Sequence, residues 1–194
     1  MQNGASKSNR NKFLLVLAVF AIPVVASYLA YYVWKPQGAV INYGELITPV
    51  QPTGNITLSQ LDGQPLELKT LRGKWLLVYA SAGTCDAVCE KELYAMRQVR
   101  LMQNREQDRV RRVWLLTDAA VPSAEMLTGK FEGTLALRDP KRELLAKLPV
   151  KTNLRDHVYI VDPLGNVMMR YDADPDLKRM AKDLERLLRA SWVG

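Results

Sequence analysis

The only two cysteines of this 194-residue chain stand in "SAGTCDAVCEKEL", residues 81–93. Three residues separate Cys85 from Cys89, so on a helix the two sulfurs share a face, close enough for a disulfide or for one metal ion. Three readings are open: a redox couple, half of a metal site, or two buried thiols packed as small hydrophobes.

For chemistry, the pair has to be held at a site. The run "KWLLVYASA" just before it is continuously apolar, as in a central strand covered on both faces. After it, Val88, Leu93, Met96, Val99 and Met102 recur at helical intervals over residues 86–107. The cysteines therefore stand where a strand hands over to a helix. Ligands gather at the carboxyl ends of strands in such sheets, and a helix N-terminus there offers backbone N–H groups and partial positive charge, which favour a thiolate.

The rest of the chain supplies the sheet. "ITLSQLDGQPLEL" alternates on both sides of Asp62-Gly63 and predicts a hairpin. "VRRVWLLTD" and "TLALRD" read as strands, while "PSAEMLTGKF" and "PKRELLAKL" read as helices, the latter with Pro140 at its first position. "HVYIVDP" and "VMMRYD" form a second hairpin around Leu164-Gly165-Asn166, and residues 176–190 make an amphipathic helix. Strands alternating with helices predict an α/β domain, a mixed sheet covered on both faces.

Residues 13–34, "FLLVLAVFAIPVVASYLAYYVW", are long and apolar enough to span a bilayer at about 1.5 Å per residue. Pro23 is tolerated in such a helix, and Tyr28, Tyr31, Tyr32 and Trp34 suit an aromatic belt. Lys7, Arg10 and Lys12 precede the run and only Lys35 closely follows, which predicts a cytoplasmic N-terminus and a periplasmic C-terminal domain on a single-span anchor in the inner membrane. The rival is a cleaved signal peptide, for which Val24-Val25-Ala26 is the one weak site. The expected organisation is a tail over 1–12, an anchor over 13–34, a Pro- and Gly-containing linker over 35–55 and a folded domain over 56–194. The net charge of +7 comes largely from the four basic residues around the anchor; the remaining 23 basic and 20 acidic residues leave +3, so nucleic acid is not the expected partner. Outside the cytoplasm, a cysteine pair oxidises unless it is reduced or held by a metal.

Among other side chains, Arg97, Arg100, Arg105, Arg109, Arg111 and Arg112 read either as an acceptor of acidic partners or lipid headgroups or as a solvated face balanced by Glu92, Glu106 and Asp108. Met168 and Met169, adjacent on a strand, are expected on opposite faces. Asp118, Asp139, Asp162 and Asp172 suit turns and strand ends.

Residues 71–96, "LRGKWLLVYASAGTCDAVCEKELYAM", resemble the core of the thioredoxin-like superfamily, and the three-residue cysteine spacing resembles the Sco/SenC family of membrane-anchored cytochrome c oxidase assembly proteins. The "LSQLDGQPLEL" and "YIVDPLGNVMMRY" hairpins fit too. The resemblance implies a thioredoxin-like fold, with Cys85 and Cys89 acting in copper binding and transfer, in thiol–disulfide chemistry on the oxidase copper site, or in both. It implies an oxidase subunit or another assembly factor as partner. The single histidine, His157, would complete with the two thiolates a soft site that selects Cu(I). This chain departs from the family pattern in two ways. The position matching the copper histidine is Leu154, three residues before His157, and Asp86 and Ala87 replace the usual Pro and Asp after the first cysteine. A three-residue shift on a strand moves a side chain by about 10 Å and turns it to the other face. An assembly or scaffold protein that kept the fold and thiols but lost copper coordination is the non-enzymatic alternative. A general thioredoxin-type reductase would have Cys-x-x-Cys and a cis-proline before the facing strand; the nearest proline, Pro149, lies seven residues before Asp156.

Overall fold

The computed structural model describes residues 4–32 and 42–192, in two compact units, Met1–Ile41 and Asn42–Gly194. Trp34, Lys35 and the first part of the expected linker lie outside the described residues. In the first unit, α1 (Gly4–Tyr32) contains Pro23, and its stretch Arg10–Tyr32 is long and apolar enough to cross a membrane. Its apolar side chains, from Phe13 through Tyr32, are exposed. A helix apolar all round has no stripe to bury against a soluble core, and lipid is the solvent that suits it.

The second unit is built on one eight-stranded mixed sheet. Its strands are β1 (Glu45–Pro52), β2 (Thr57–Gln60), β3 (Pro65–Glu67), β4 (Trp75–Ser81), β5 (Val110–Leu116), β6 (Thr134–Arg138), β7 (His157–Val161) and β8 (Asn166–Asp172), in the spatial order β1-β8-β7-β4-β5-β6-β2-β3. β4, β5 and β6 run parallel; β7 is antiparallel to β4, and β8 to β7. Every residue of β4 is buried, as its unbroken apolar run predicts. Its side chains alternate between two cores. Trp75, Leu77 and Tyr79 face α2 (Ala87–Leu101) and α3 (Leu177–Ala190); Leu76, Val78 and Ala80 face Leu58, Leu68, Leu144 and Leu148 on the other side. The expected α/β architecture is therefore present, with regular helices on one face and short turns on the other.

Three local expectations change. Residues 45–52, expected within the linker, form β1, which pairs with β8 at the sheet edge. Pro49 and Pro52 suggest a tether, but proline is tolerated on an edge strand. The entry to β1 is clamped: Asp183 on α3 accepts the Tyr43 and Gly44 N–H groups, each at 2.8 Å, and a Cβ on Gly44 would fall 2.6 Å from the Tyr171 ring. The "PKRELLAKL" helix shrinks to a 3-10 turn over Leu145–Lys147. Arg142 sits at φ +57, and the Asp139 carboxylate takes the N–H groups of Glu143, Leu144 and Leu145, so a side chain replaces the helical ladder. "PSAEMLTGKF" gives only a π turn over Met126–Lys130.

Candidate functional site at the β4–α2 junction

The chain leaves β4 at Ser81 and turns through Ala82-Gly83-Thr84-Cys85 before α2 begins. Gly83 is required there, because a Cβ would collide with the Ala120 carbonyl; its N–H is fixed by Asp118 at 2.9 Å. Cys85 takes the left-handed region at φ +42. Asp86 caps α2, its side chain accepting the Cys89 N–H at 3.0 Å, and pairs with Arg155 at 2.6 Å. The helix N–H, then the Arg155 guanidinium, hold the Asp86 carboxyl below its usual range.

Cys85 and Cys89 are joined as a disulfide, with Cα atoms 5.1 Å apart. Cys85 retains 8% exposure against 1% for Cys89, and a cleft of about 480 Å³ opens over them, lined by Ser81, Thr84, Asp86, Thr117, Leu154 and Arg155 as well as the cysteines. Beneath the bond, the Trp114 indole N–H donates to Ser81 Oγ at 2.9 Å, and the Ser81 hydroxyl donates to Cys89 Sγ at 3.2 Å. Neither Ser81 nor Trp114 was expected from the sequence. Their signal is positional: the last residue of β4, and its near neighbour on β5, both on the cysteine face.

Glu92, read from sequence as part of a solvated face, is 1% exposed. One of its oxygens accepts the Asp174 N–H at 2.7 Å, and the other has no partner. Burial, the largest cause, raises its carboxyl above the usual range. The Tyr79 hydroxyl, on the same face of β4, is also buried without a partner and is pushed up to about 12, chiefly by burial and next by the Glu92 charge.

His157 is not brought to the cysteines. It opens β7, where Val158 faces the cysteine core and Tyr159 the opposite one, so the imidazole lies with Tyr159 on the far face of the sheet. It is 2% exposed, with Nδ1 3.2 Å from Asp172 and Nε2 accepting the Lys151 N–H at 3.4 Å. Leu154 lines the cleft instead. Two sulfurs bound to each other and an imidazole across the sheet do not form the donor set of a three-ligand copper centre. Among the described residues, no group of three His, Cys, Asp or Glu side chains could hold a metal ion.

Met168 and Met169 turn out to share a face. Ile160 pairs with Met169 and Val161 with Val167, so Met168 is the extra residue of a bulge, and both thioethers pack against the helix-side core. Three of the six arginines are engaged: Arg100 with Val110 and Asp108, Arg109 with Glu106 and Leu188, and Arg112 with Glu132. Asp118, Asp139 and Asp162 satisfy turn N–H groups. Among the described residues the cis peptide is Thr48–Pro49, not one at Pro149.

Comparison with known proteins extends the fold. Copper-bound yeast Sco1 superposes with a TM-score of 0.63 at 18% identity, covering 75% of this chain and 96% of that one. Copper-bound ScoI of Arabidopsis thaliana gives 0.57 at 19%, covering 71% and 98%. BsSco, described as a Sco-family cytochrome c oxidase assembly protein with a disulfide switch, gives 0.50 at 16%, covering 74% and 96%. These likenesses establish the shared thioredoxin-like fold that the sequence resemblance implied. No curated protein matches the sequence. The model of the family described as "Transmembrane-like, thioredoxin-like, C-terminal domain" matches residues 75–191, from the first residue of β4 to just past α3. The chain belongs to this transmembrane-like, thioredoxin-like family.

Proposed function

We propose that this protein is a Sco-like assembly factor for cytochrome c oxidase, anchored in the inner membrane by α1 with its C-terminal domain in the periplasm, and that it works by thiol–disulfide exchange at Cys85 and Cys89 on the oxidase copper site. The observation that carries the reading is a disulfide at the strand–helix junction lining a cleft, Cys85 its more exposed half, with the only imidazole on the opposite face of the sheet. The fold shared with Sco proteins supports the partner class, and the disulfide switch ascribed to BsSco supports the chemistry.

In the reduced protein, Cys85 is the attacking thiolate, because it precedes the amino end of α2 and keeps the greater access. Its sulfur attacks one sulfur of a partner disulfide, and the partner's other sulfur leaves as a thiolate. Cys89 then attacks Cys85 Sγ, releasing the partner's second thiolate and restoring the Cys85–Cys89 bond. Two electrons pass to the partner, and its copper-site cysteines are left reduced. Copper takes no part in these steps.

The test uses the full chain in detergent, reduced and mixed with an oxidase subunit whose copper-site cysteines are oxidised. One partner disulfide is reduced per protein disulfide formed, and C85S and C89S abolish turnover. Absence of reduction by the unmodified protein overturns the proposal. A Cu(I) titration of the reduced chain beside C85S, C89S and H157A separates the alternatives: tight one-to-one binding lost in all three variants supports a copper chaperone, whereas neither copper binding nor a reversible disulfide leaves a scaffold.

A further inference from the structure

α2 carries a second opening beside the disulfide cleft. A groove of about 520 Å³ runs between this helix and the turn over Met126–Lys130, and Ala87 marks its near end. Asp86, the preceding residue, lines the disulfide cleft, so the two openings adjoin at the first turn of α2. From Ala87 to Arg97 the groove follows the helix for about 15 Å, at about 1.5 Å per residue. Phe131, buried, and Tyr94, half exposed, give it an apolar floor.

The rim is cationic. Lys91, Arg97 and Lys130 line the groove against one carboxylate, Glu90, which Lys130 takes at 2.6 Å. Lys91 pairs outside the groove with Asp174 at 2.7 Å, while Arg97 makes no hydrogen bond or ion pair with any described residue. Behind the floor stands more positive charge. Arg112 on β5 is 4% exposed and donates to the carbonyl of Glu132, the residue after Phe131; its Nε and Nη1 have no hydrogen-bond partner. Arg100 reaches the same strand, donating to the Val110 carbonyl at 3.0 Å, with Asp108 as its one acid. Among the described residues no carboxylate pairs with Arg112, and burial, then Arg100 and Arg97, push its guanidinium down to about 10. Uncompensated positive charge along an apolar floor selects anionic side chains.

We propose that this groove docks the segment of the partner protein that flanks its exchanged disulfide, and that the segment carries an aromatic or aliphatic side chain together with acidic residues; this rests on the thiol–disulfide reading above. A partner joined to Cys85 through a mixed disulfide has to lay its flanking chain on surface next to the cleft, and α2 offers it an apolar floor there. The apolar side chain covers Phe131 and Tyr94, and the carboxylates meet Arg97 and Lys91. An extended chain covers about 15 Å in about five residues, so the acidic residues stand about five positions from the reacting cysteine. Apolar contact holds the segment, and the charges decide which partner is accepted and how fast it arrives.

The experiment mixes the reduced full chain in detergent with synthetic peptides, each closed by one internal disulfide and flanked on both sides, about five residues away, by Tyr-Glu-Glu or by Tyr-Lys-Lys. Reduced peptide is resolved by chromatography after acid quenching. Each second-order rate constant is divided by that of the same chain with 2-hydroxyethyl disulfide, a neutral reagent too small to span the groove, so that changes in thiol reactivity cancel. At low salt the unmodified chain reduces the glutamate peptide at least about fivefold faster than the lysine peptide, and about 1 M salt shrinks the ratio below about twofold. R97E abolishes the preference, R97K retains it, and K91E, on the same rim, lowers it by about half. R111E, exposed on the opposite face of the sheet, makes the same change in net charge and keeps the preference. Near-ultraviolet circular dichroism verifies that the variants are folded. If the two peptides react alike, if R97E keeps the preference, or if R111E acts as R97E does, the inference is overturned while the thiol–disulfide reading stands. If neither the peptides nor 2-hydroxyethyl disulfide are reduced, the thiol–disulfide reading falls and the inference with it.

Discussion

The two faces of the sheet handle their reactive side chains in opposite ways. On the α2 face, a strained turn and a capped helix end hold Cys85 and Cys89 at a cleft, with hydroxyls and a carboxyl behind them. On the other face, His157 is buried, its Nε2 accepting the Lys151 N–H, its Nδ1 3.2 Å from Asp172 but without a hydrogen-bond partner, and its ring edge-on at 6.0 Å from Tyr159. One face offers a disulfide at a cleft with buried polar side chains behind it, and the other a histidine used as a structural residue. A donor's identity says little until the strand parity that aims it is known: Cys and His in one chain do not make a site when one sheet lies between them.

The largest expected effect comes from moving the imidazole across the sheet. H157A leaves the Cu(I) affinity of the reduced full chain unchanged. L154H, which places an imidazole on the cleft-lining 3-10 turn, raises that affinity by more than about tenfold, or roughly 1.4 kcal/mol. Competition with a chromophoric Cu(I) chelator measures both. If H157A weakened binding as much as C85S, the contrast between the faces would be gone.

A smaller effect sharpens the contrast within the cysteine face. S81A removes the acceptor of the buried Trp114 N–H and the donor to Cys89 Sγ, leaving a buried donor unmet, and costs about 1 kcal/mol in denaturant unfolding. The same variant slows disulfide opening without altering Cu(I) affinity. A cost near zero would mean that Trp114 and Cys89 do not depend on Ser81.

Much of this organisation was legible in the residues. The change from an unbroken apolar run to a 3.6-residue period located the β4–α2 junction and with it the cysteine pair. The parity that sends the imidazole to the far face belongs to β7, where His157 stands two residues before Tyr159. Other features depended on contacts distant in sequence. β1 was hidden by Pro49 and Pro52, and its place is fixed by Asp183, 139 residues beyond Gly44. The bulge at Met168 overrode simple alternation. Glu92 looked like a surface acid because acids usually are. Its signal was spacing: three residues after Cys89 and four before Met96, it lies on the buried stripe of α2.

The smallest expected effect lies in how two acids near the cysteines, Asp86 and Glu92, bear on stability, and their signs are opposite. Asp86 is held below its unfolded range by the helix N–H and Arg155, so its contribution is present above the ordinary carboxyl range and is lost as pH falls through its lowered value. Glu92 is raised by burial, so relative to a neutral isostere its contribution is complete below the ordinary range and is lost as pH rises through its raised value. Asn still caps a helix, so D86N removes the charge with little change to the cap. The stability gap between the native chain and D86N therefore narrows toward acid. E92Q behaves in the opposite sense, matching the native chain in acid and exceeding it as pH rises. Urea unfolding of the full chain and both variants from pH 3 to 8 reads the two differences directly. If the gaps ran in the same direction, one of the two carboxyls would not occupy the environment described: an ion-paired cap at the cleft, or a carboxyl buried behind the disulfide.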